Sequence, residues 1–244
     1  MGLSVGLGSL WLAGCDSSSE EGDTSSAAAS TTGGGGMLTG TPIPFSNGWV
    51  PFAENPFLIQ GAFYTFKDNP EDADGDTIIG TSLITPESFA DSGAQICATG
   101  TAGKVDGKNT DGSDAYDDFW GAAIGLNLKQ EEGMDAALAF DAAAAGLTGF
   151  SFMIEGASPI PAGGELRFNI KVAGDSNNYC KKITAAGANT FKLSEMYQSC
   201  WMNDTTLPTP DATKLEAIHW QYVTNTSASY DFDICITALA GTTD

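Results

Sequence analysis

Basic residues are scarce in this chain. Its 244 residues contain ten Lys and Arg together against 31 Asp and Glu, so the formal net charge is −21, and there is a single His. Nucleic acid is held by basic patches that neutralise its phosphates, and this sequence offers none. Docking by charge on an anionic lipid surface is disfavoured for the same reason. The composition therefore excludes nucleic acid as an expected partner.

Familiar catalytic motifs are missing as well. The sequence has no Gly-x-Ser-x-Gly, no His-Glu-x-x-His and no phosphate-binding glycine loop. His219 lies in the middle of a predicted strand, which leaves little room for a Ser-His-Asp triad. A glycosidase-like pair of carboxylates stays open, with Glu155 or Glu165 beside Arg167 as a candidate, although such an acid and arginine more often form a surface ion pair. We expect a protein that is not an enzyme.

Long apolar runs are absent near the N-terminus, where residues 3–12 form a stretch too short to span a bilayer. Its length fits the apolar region of an export signal. The following Leu12-Ala13-Gly14-Cys15 resembles the lipobox of bacterial lipoproteins. The resemblance implies that a signal peptide, residues 1–14, is removed and that Cys15 carries the lipid. No Lys or Arg precedes the apolar stretch, so a truncated start or a free cysteine remain the alternatives.

Residues 15–40 are predicted to form a tether. From Asp16 to Gly36 the chain holds Ser, Thr, Ala, Gly and a few acids, with no aromatic residue. Such a segment cannot bury enough apolar surface to offset the entropy of ordering it. Asp16 resembles the inner-membrane retention signal of some Gram-negative sorting systems, which leaves the choice of membrane open. We expect an exported protein that is attached to a membrane through its lipid only, with one domain over residues 41–244.

Four cysteines follow Cys15, an even number that in an exported protein predicts two disulfides with three possible connectivities. No Cys-x-x-Cys pair is present, so metal binding by the four is the weaker interpretation. We favour Cys180–Cys200, which closes a local loop, and Cys97–Cys235, which joins an early strand to the last one.

Short segments with a period of two, separated by Gly, Pro, Asn and Asp, predict β-strands. These segments are residues 58–67, 96–104, 120–128, 150–155, 166–172, 215–223 and 230–239. Only Met134–Ala145 looks helical, and its alanine content leaves that assignment open. The pattern predicts an all-β fold, an antiparallel β-sandwich or jelly roll with at most one short helix.

Several segments resemble the galactose-binding-like jelly rolls of carbohydrate-binding modules. They are Phe119–Leu126 (FWGAAIGL), Leu147–Phe152 (LTGFSF), Leu166–Phe168, Leu215–Gln221 and Tyr230–Ile234, in that order. The match covers about residues 58–239 and implies binding of a polysaccharide or oligosaccharide. A terminal Asp-Asp pair that helps hold structural calcium in such modules falls on Thr237 and Ala238 here, which departs from the family pattern.

The strand pattern places a set of polar side chains on one outward face. Opposite the apolar positions of two strands lie Arg167, Asn169 and Lys171, and then His219 and Gln221. Amide, guanidinium and imidazole groups match sugar hydroxyls, and an aromatic plane matches the C–H face of a sugar ring. Tyr197 and Trp201 are candidates for that plane. The predicted ligand site is Arg167, Asn169, His219, Gln221, Tyr197 and Trp201, with a solvated sheet face as the alternative.

An acidic loop provides a candidate calcium site. Asp72, Asp74 and Asp76 surround Gly75, and oxygen ligands around a tight turn suit Ca²⁺. The loop does not fit an EF-hand, because Pro70 falls at the first ligand position. A second acidic loop spans residues 106–118. Without a cation so many carboxylates would repel one another, although simple solvated turns are the alternative.

Together these features predict an exported, lipid-anchored, non-catalytic carbohydrate-binding module that holds polysaccharide at the cell surface. The alternatives are a structural or adhesive surface lipoprotein with a protein partner, and a small glycan-active enzyme. Calcium is the one candidate cofactor.

Overall fold

The computed structural model describes residues 38–69, 81–105, 107, 111–116 and 118–243. Within these ranges the chain forms thirteen β-strands, three short 3-10 helices (Phe52–Glu54, Leu193–Glu195 and Cys200–Met202) and no α-helix. The predicted signal peptide, Cys15, most of the tether and the calcium candidates Asp72, Asp74 and Asp76 lie outside the described residues. No helix in the described part of the chain is long and apolar enough to cross a membrane.

The strands are short, and most are bounded by turns. They are β1 (Thr41–Pro42), β2 (Trp49–Val50), β3 (Gly61–Lys67), β4 (Leu83–Thr85), β5 (Ile96–Ala102), β6 (Ala122–Asn127), β7 (Gly149–Ser158), β8 (Glu165–Val172), β9 (Tyr179–Ile183), β10 (Gly187–Lys192), β11 (Tyr197–Gln198), β12 (Leu215–Val223) and β13 (Tyr230–Thr242).

Two antiparallel sheets contain these strands. As far as the chain is described, one has seven strands in the order β11-β9-β8-β12-β6-β3-β2. The other has six, in the order β10-β7-β13-β5-β4, with β1 paired to β13. The expected all-β sandwich is confirmed, and sequence-distant strands lie side by side in it.

Aromatic side chains from both sheets fill the space between them. Phe152 on β7 contacts Phe168 on β8 with ring centroids 4.8 Å apart, and contacts Trp220 on β12 at 5.3 Å. Tyr222 on β12 stacks on Phe232 on β13 at 3.9 Å. All five side chains are buried. The alternating apolar positions of the sequence are therefore the inner faces of the two sheets, and their burial is the main driving force for the sandwich.

Met134–Ala145 forms turns and isolated bridges instead of the helix that its composition allowed. The backbone of Phe140 exchanges two hydrogen bonds with Leu215, at 2.6 and 3.0 Å, and Leu138 N donates to Lys129 O at 2.7 Å. Backbone donors used between segments in this way are not available for helical bonds. The buried ring of Phe140 favours the same arrangement, since it packs into the core.

Both predicted disulfides are formed. Cys97 on β5 is bonded to Cys235, which lies opposite it on β13. Cys180 on β9 is bonded to Cys200 in the third 3-10 helix, 20 residues further along the chain. The second bond ties a loop to β9, next to the edge strand β11 of the seven-stranded sheet.

Candidate functional site

The outer face of the seven-stranded sheet carries two neighbouring rows of side chains, because directly opposed residues in antiparallel strands point to the same side. From β3 to β9, the first row is Phe66, Ala123, Gln221, Arg167 and Lys182. The second row is Tyr64, Gly125, His219, Asn169 and Cys180. Four of the predicted ligand residues, Arg167, Asn169, His219 and Gln221, are thus neighbours on this face.

A cavity of about 950 Å³ opens over this face, and we call it the outer-face cavity. Its described lining combines aromatic side chains with charged and amide groups. These lining side chains include Tyr116, Trp120, Glu165, Arg167, Asn169, Lys182, Trp201 and Gln221.

Trp201 is presented by a constrained turn. It sits in the 3-10 helix Cys200–Met202, which is flanked by Ser199 and Asn203 in the left-handed region at φ 53° and 54°. Cys200 is fixed to β9 by its disulfide, and its N–H donates to the sulfur of Cys180 at 3.3 Å. Left-handed backbone is unfavourable for residues other than glycine, so the surrounding bonds are needed to hold it. The turn leaves the Trp201 side chain 52% exposed at the cavity.

Arg167 lies beside this ring. Its guanidinium carbon is 5.2 Å from the centre of the Trp201 ring, a cation–π contact. Arg167 Nε donates to Glu165 Oε1, and Lys182 Nζ donates to Glu165 Oε2 at 3.0 Å. Burial alone would raise the pKa of Glu165, but the charge of Arg167 and hydrogen bonds from Lys182 and Arg167 outweigh it and lower that pKa. Glu165 is therefore an ionised group that holds two cations at the cavity.

An amide chain forms the floor. Asn169 Nδ2 donates to Gln221 Oε1 at 2.7 Å, and Gln221 Nε2 donates to the carbonyl oxygen of Trp120 at 2.9 Å. The Trp120 ring packs on Phe66 with centroids 5.2 Å apart. These contacts position Trp120 at the cavity. The two amides therefore line the site and also fix the position of one of its aromatic residues.

His219 occupies an aromatic cluster with Tyr64 and Phe66. Its Nε2 is hydrogen-bonded to the Tyr64 hydroxyl at 3.0 Å, and its ring lies edge-on to Phe66 with centroids 4.8 Å apart. Burial, helped by the charge of Lys171, lowers the pKa of His219 to about 3. His219 is thus a neutral, packed imidazole at physiological pH.

Gly125 makes this cluster possible. A Cβ at this position would lie 2.4 Å from Cζ of Tyr64 and 2.8 Å from its hydroxyl oxygen. Because glycine has no side chain, the Tyr64 ring can cross β6 and reach His219 on the far strand.

The predicted ligand residues therefore separate into two groups. Arg167, Asn169, Gln221 and Trp201 all line the outer-face cavity. His219 lies in the aromatic cluster, and Tyr197 is half-buried on β11, opposite Cys180. Neither is among the residues that line the cavity.

The lining residues that sequence reasoning missed include Trp120, Lys182 and Tyr116. Trp120 had a signal, because it opens the Trp-Gly-Ala-Ala-Ile-Gly-Leu segment that precedes and forms β6. Lys182 is on β9, a strand that the alternation did not reveal, directly opposite Arg167. Tyr116 belongs to an acidic loop and had no distinguishing signal.

The calcium site stays a prediction. At the base of the first acidic loop, Asp68 is fully buried and accepts hydrogen bonds from Ser82 N (2.8 Å), Ser82 Oγ (3.0 Å) and Gly121 N (2.8 Å). Asp68 thereby links Ser82, the residue before β4, to Gly121, the residue before β6. Among the described residues, no group of three or more His, Cys, Asp or Glu is arranged to hold a metal ion.

The comparisons with known proteins found no sequence match and a weak structural likeness. No family model and no curated protein matches the sequence. Among solved structures, the solution structure of CtCBM11 matches 75% of this chain and 90% of that chain, with 15% sequence identity and a TM-score of 0.34. A likeness of this size carries no argument about function, which rests on the geometry of the outer-face cavity.

Proposed function

We propose that this chain is an exported, lipid-anchored, non-catalytic carbohydrate-binding protein that holds polysaccharide at the cell surface through the outer-face cavity. The observation that carries the proposal is the half-exposed Trp201 ring beside the Arg167 guanidinium, in a cavity also lined by Trp120. Aromatic faces take the C–H side of a sugar ring, and planar donors take its hydroxyls. The volume of about 950 Å³ lies within the usual range of small-ligand sites and gives room for part of an oligosaccharide.

A non-catalytic role is supported by the carboxylates of the cavity. Among the described lining residues Glu165 is the single acid, and it is paired with Arg167 and Lys182. Glycoside hydrolysis ordinarily uses two carboxyl groups, one of which has a raised pKa so that it can donate a proton. The pKa of Glu165 is shifted in the opposite direction.

Export and lipid attachment are supported by the sequence around Cys15 and by the other cysteines. The remaining four are paired in two disulfides, bonds that persist in oxidising compartments. Cys15 is thus the one cysteine left for another modification. Labelling of producing bacterial cells with an alkyne fatty acid should mark the full chain and not its Cys15→Ala variant. Equal labelling of both would contradict the anchor.

The test of glycan binding uses the full chain with a panel of insoluble polysaccharides and titration with the oligosaccharides of any polymer that retains it. We expect Trp201→Ala to weaken binding at least tenfold, a size typical of a central tryptophan in an interface. Met202→Ala is the matched control, since Met202 is 63% exposed in the same turn but does not line the cavity.

Two results would overturn the proposal. One is a folded full chain that no polysaccharide retains, which would favour a structural or adhesive lipoprotein. The other is equal weakening by Trp201→Ala and Met202→Ala. A parallel series with EDTA tests calcium: weaker retention with EDTA would assign a role to the acidic loops.

A further inference from the structure

The charge of the outer-face cavity is opposite to that of the chain. Overall, 31 Asp and Glu face ten Lys and Arg. Among the described residues that line the cavity, two are cationic, Arg167 and Lys182, and one is acidic, Glu165. The local balance is therefore positive on a chain with a net charge of −21. Since the whole molecule repels a polyanion, an anionic ligand can be held only where cations locally outnumber acids.

Arg167 retains donors for such a ligand. It is the one arginine of the sequence, and its side chain is 14% exposed. Its Nε is used on Glu165, whereas its Nη groups have no hydrogen-bond partner among the described residues. Arginine binds carboxylates through two parallel N–H···O bonds, and a partly buried position strengthens them.

Lys182 adds a second positive group on the same side. It lies opposite Arg167 on β9, and its side chain is 55% exposed. Glu165 accepts one hydrogen bond from each cation, which fixes the pair but neutralises only one positive charge. The remaining positive charge, beside the Trp201 ring, favours a sugar that carries a negative charge over its neutral counterpart.

We propose that the glycan held in the outer-face cavity is acidic, a polysaccharide of carboxylated (uronic acid) sugars, with a sugar carboxylate beside Arg167 and Lys182 and a sugar ring against Trp201. This inference rests on the proposed function, because it specifies the class of glycan that the same cavity takes. The local excess is a single positive charge, so one carboxylate in the stretch of glycan that occupies the cavity is enough to balance it.

The experiment compares each acidic polymer with its own neutral form. Alginate, polygalacturonate, glucuronoxylan and hyaluronan are used as they are and after chemical reduction of their carboxyl groups to alcohols, together with the neutral polymers cellulose, xylan and laminarin. We expect the full chain to bind at least one acidic polymer, and its reduced form to bind at least tenfold more weakly. Equal binding of acidic and reduced forms, or binding of neutral polymers alone, overturns this inference and leaves the proposed function intact. Binding of none of these polymers overturns both.

Charge-removing variants locate the effect. Lys182→Gln and Arg167→Gln should each lower the ratio of acidic to reduced binding at least threefold. The exposed position of Lys182 keeps the test informative even if Arg167→Gln folds poorly. Lys171→Gln is the control, because Lys171 pairs with Glu216 at 2.7 Å and does not line the cavity. A ratio that falls equally in the Lys171 variant would show a general charge effect and contradict the assigned site.

Discussion

His219 and Gln221 lie two residues apart on β12 and point to the same side of the seven-stranded sheet, but their surroundings differ. The row through Gln221 continues to Arg167 and Lys182 and opens into the outer-face cavity. The row through His219 meets Gly125 on the neighbouring strand, and there the Tyr64 ring crosses the sheet and packs on the imidazole. Alternation along a strand thus selects the face, whereas residues on neighbouring strands decide whether a position on that face is open or packed.

The largest expected effect concerns the turn that presents Trp201. The double variant Cys180→Ala, Cys200→Ala removes a cross-link between residues 20 apart, and loop-closure entropy predicts a loss of about 3 kcal/mol in the free energy of unfolding. Because the left-handed turn also loses its anchor, affinity for the bound glycan should fall at least tenfold. Urea titration and calorimetric titration below the melting temperature measure the two effects.

The control for this variant is Asn203→Gly, which leaves the bond in place and puts glycine at a left-handed position. It should keep the affinity and change the stability by less than about 1 kcal/mol. A destabilised double variant that binds as tightly as the wild type would show that the cavity does not depend on the turn.

The next effect concerns the packed region. In Gly125→Ala the new Cβ displaces the Tyr64 ring and breaks its bond to His219, so the free energy of unfolding should fall by about 2 kcal/mol. Gly107→Ala is the control, since its Cβ would meet no atom closer than 3.4 Å. The glycan affinity of Gly125→Ala should stay within threefold of the wild type. A larger loss of affinity would show that the aromatic cluster and the cavity are one site.

The pH dependence of stability isolates His219. Burial lowers its pKa to about 3 in the folded chain, whereas in the unfolded chain imidazole takes up a proton as the pH falls below about 6.5. Below that pH the unfolded state binds more protons than the folded state. The contribution of His219 to the free energy of unfolding is therefore fully present above about pH 6.5 and is lost as the pH falls. Between pH 7 and 5.5 the loss should be about 1 kcal/mol. His219→Gln should show little change over this interval in urea titrations. A parallel decline in that variant would assign the loss to other groups.

The smallest expected effect is on binding. His219→Gln should leave glycan affinity within twofold, because His219 does not line the cavity, while Gln221→Ala should weaken binding several-fold by releasing Trp120 and Asn169. Titration with the same oligosaccharide gives both values. Equal losses of affinity in the two variants would show that the region around His219 contributes to binding as much as the region around Gln221.

Much of the fold could be predicted from the sequence. Strands such as β8 and β12 alternate apolar and polar residues because one side faces the core, and that pattern is visible without coordinates. The edge strand β10 and the strand β9, which lies next to the edge strand β11, are not predicted because they carry polar residues without a clear alternation. Lys182, one of the two cations among the described residues that line the cavity, lies on β9 and is therefore not predicted either.

The surroundings of His219 could not be predicted, since its partner Tyr64 is 155 residues away and the contact depends on the register of three strands. The residues next to His219 in the sequence do not indicate this contact. The pairing of the cysteines was easier, because only three connectivities existed and one joined the first long strands to the last.

The bond between Cys180 and Cys200 also couples the proposed binding site to the redox state of the compartment. In a reducing cytosol the newly made chain would carry two thiols there, and the turn that bears Trp201 would lack its covalent link to β9. With export as proposed, oxidation outside the cytosol fastens this segment and completes the cavity. Under the proposed function, the chain should bind its glycan at least tenfold more weakly before this oxidation than after it, so recombinant material should be oxidised before its ligands are sought.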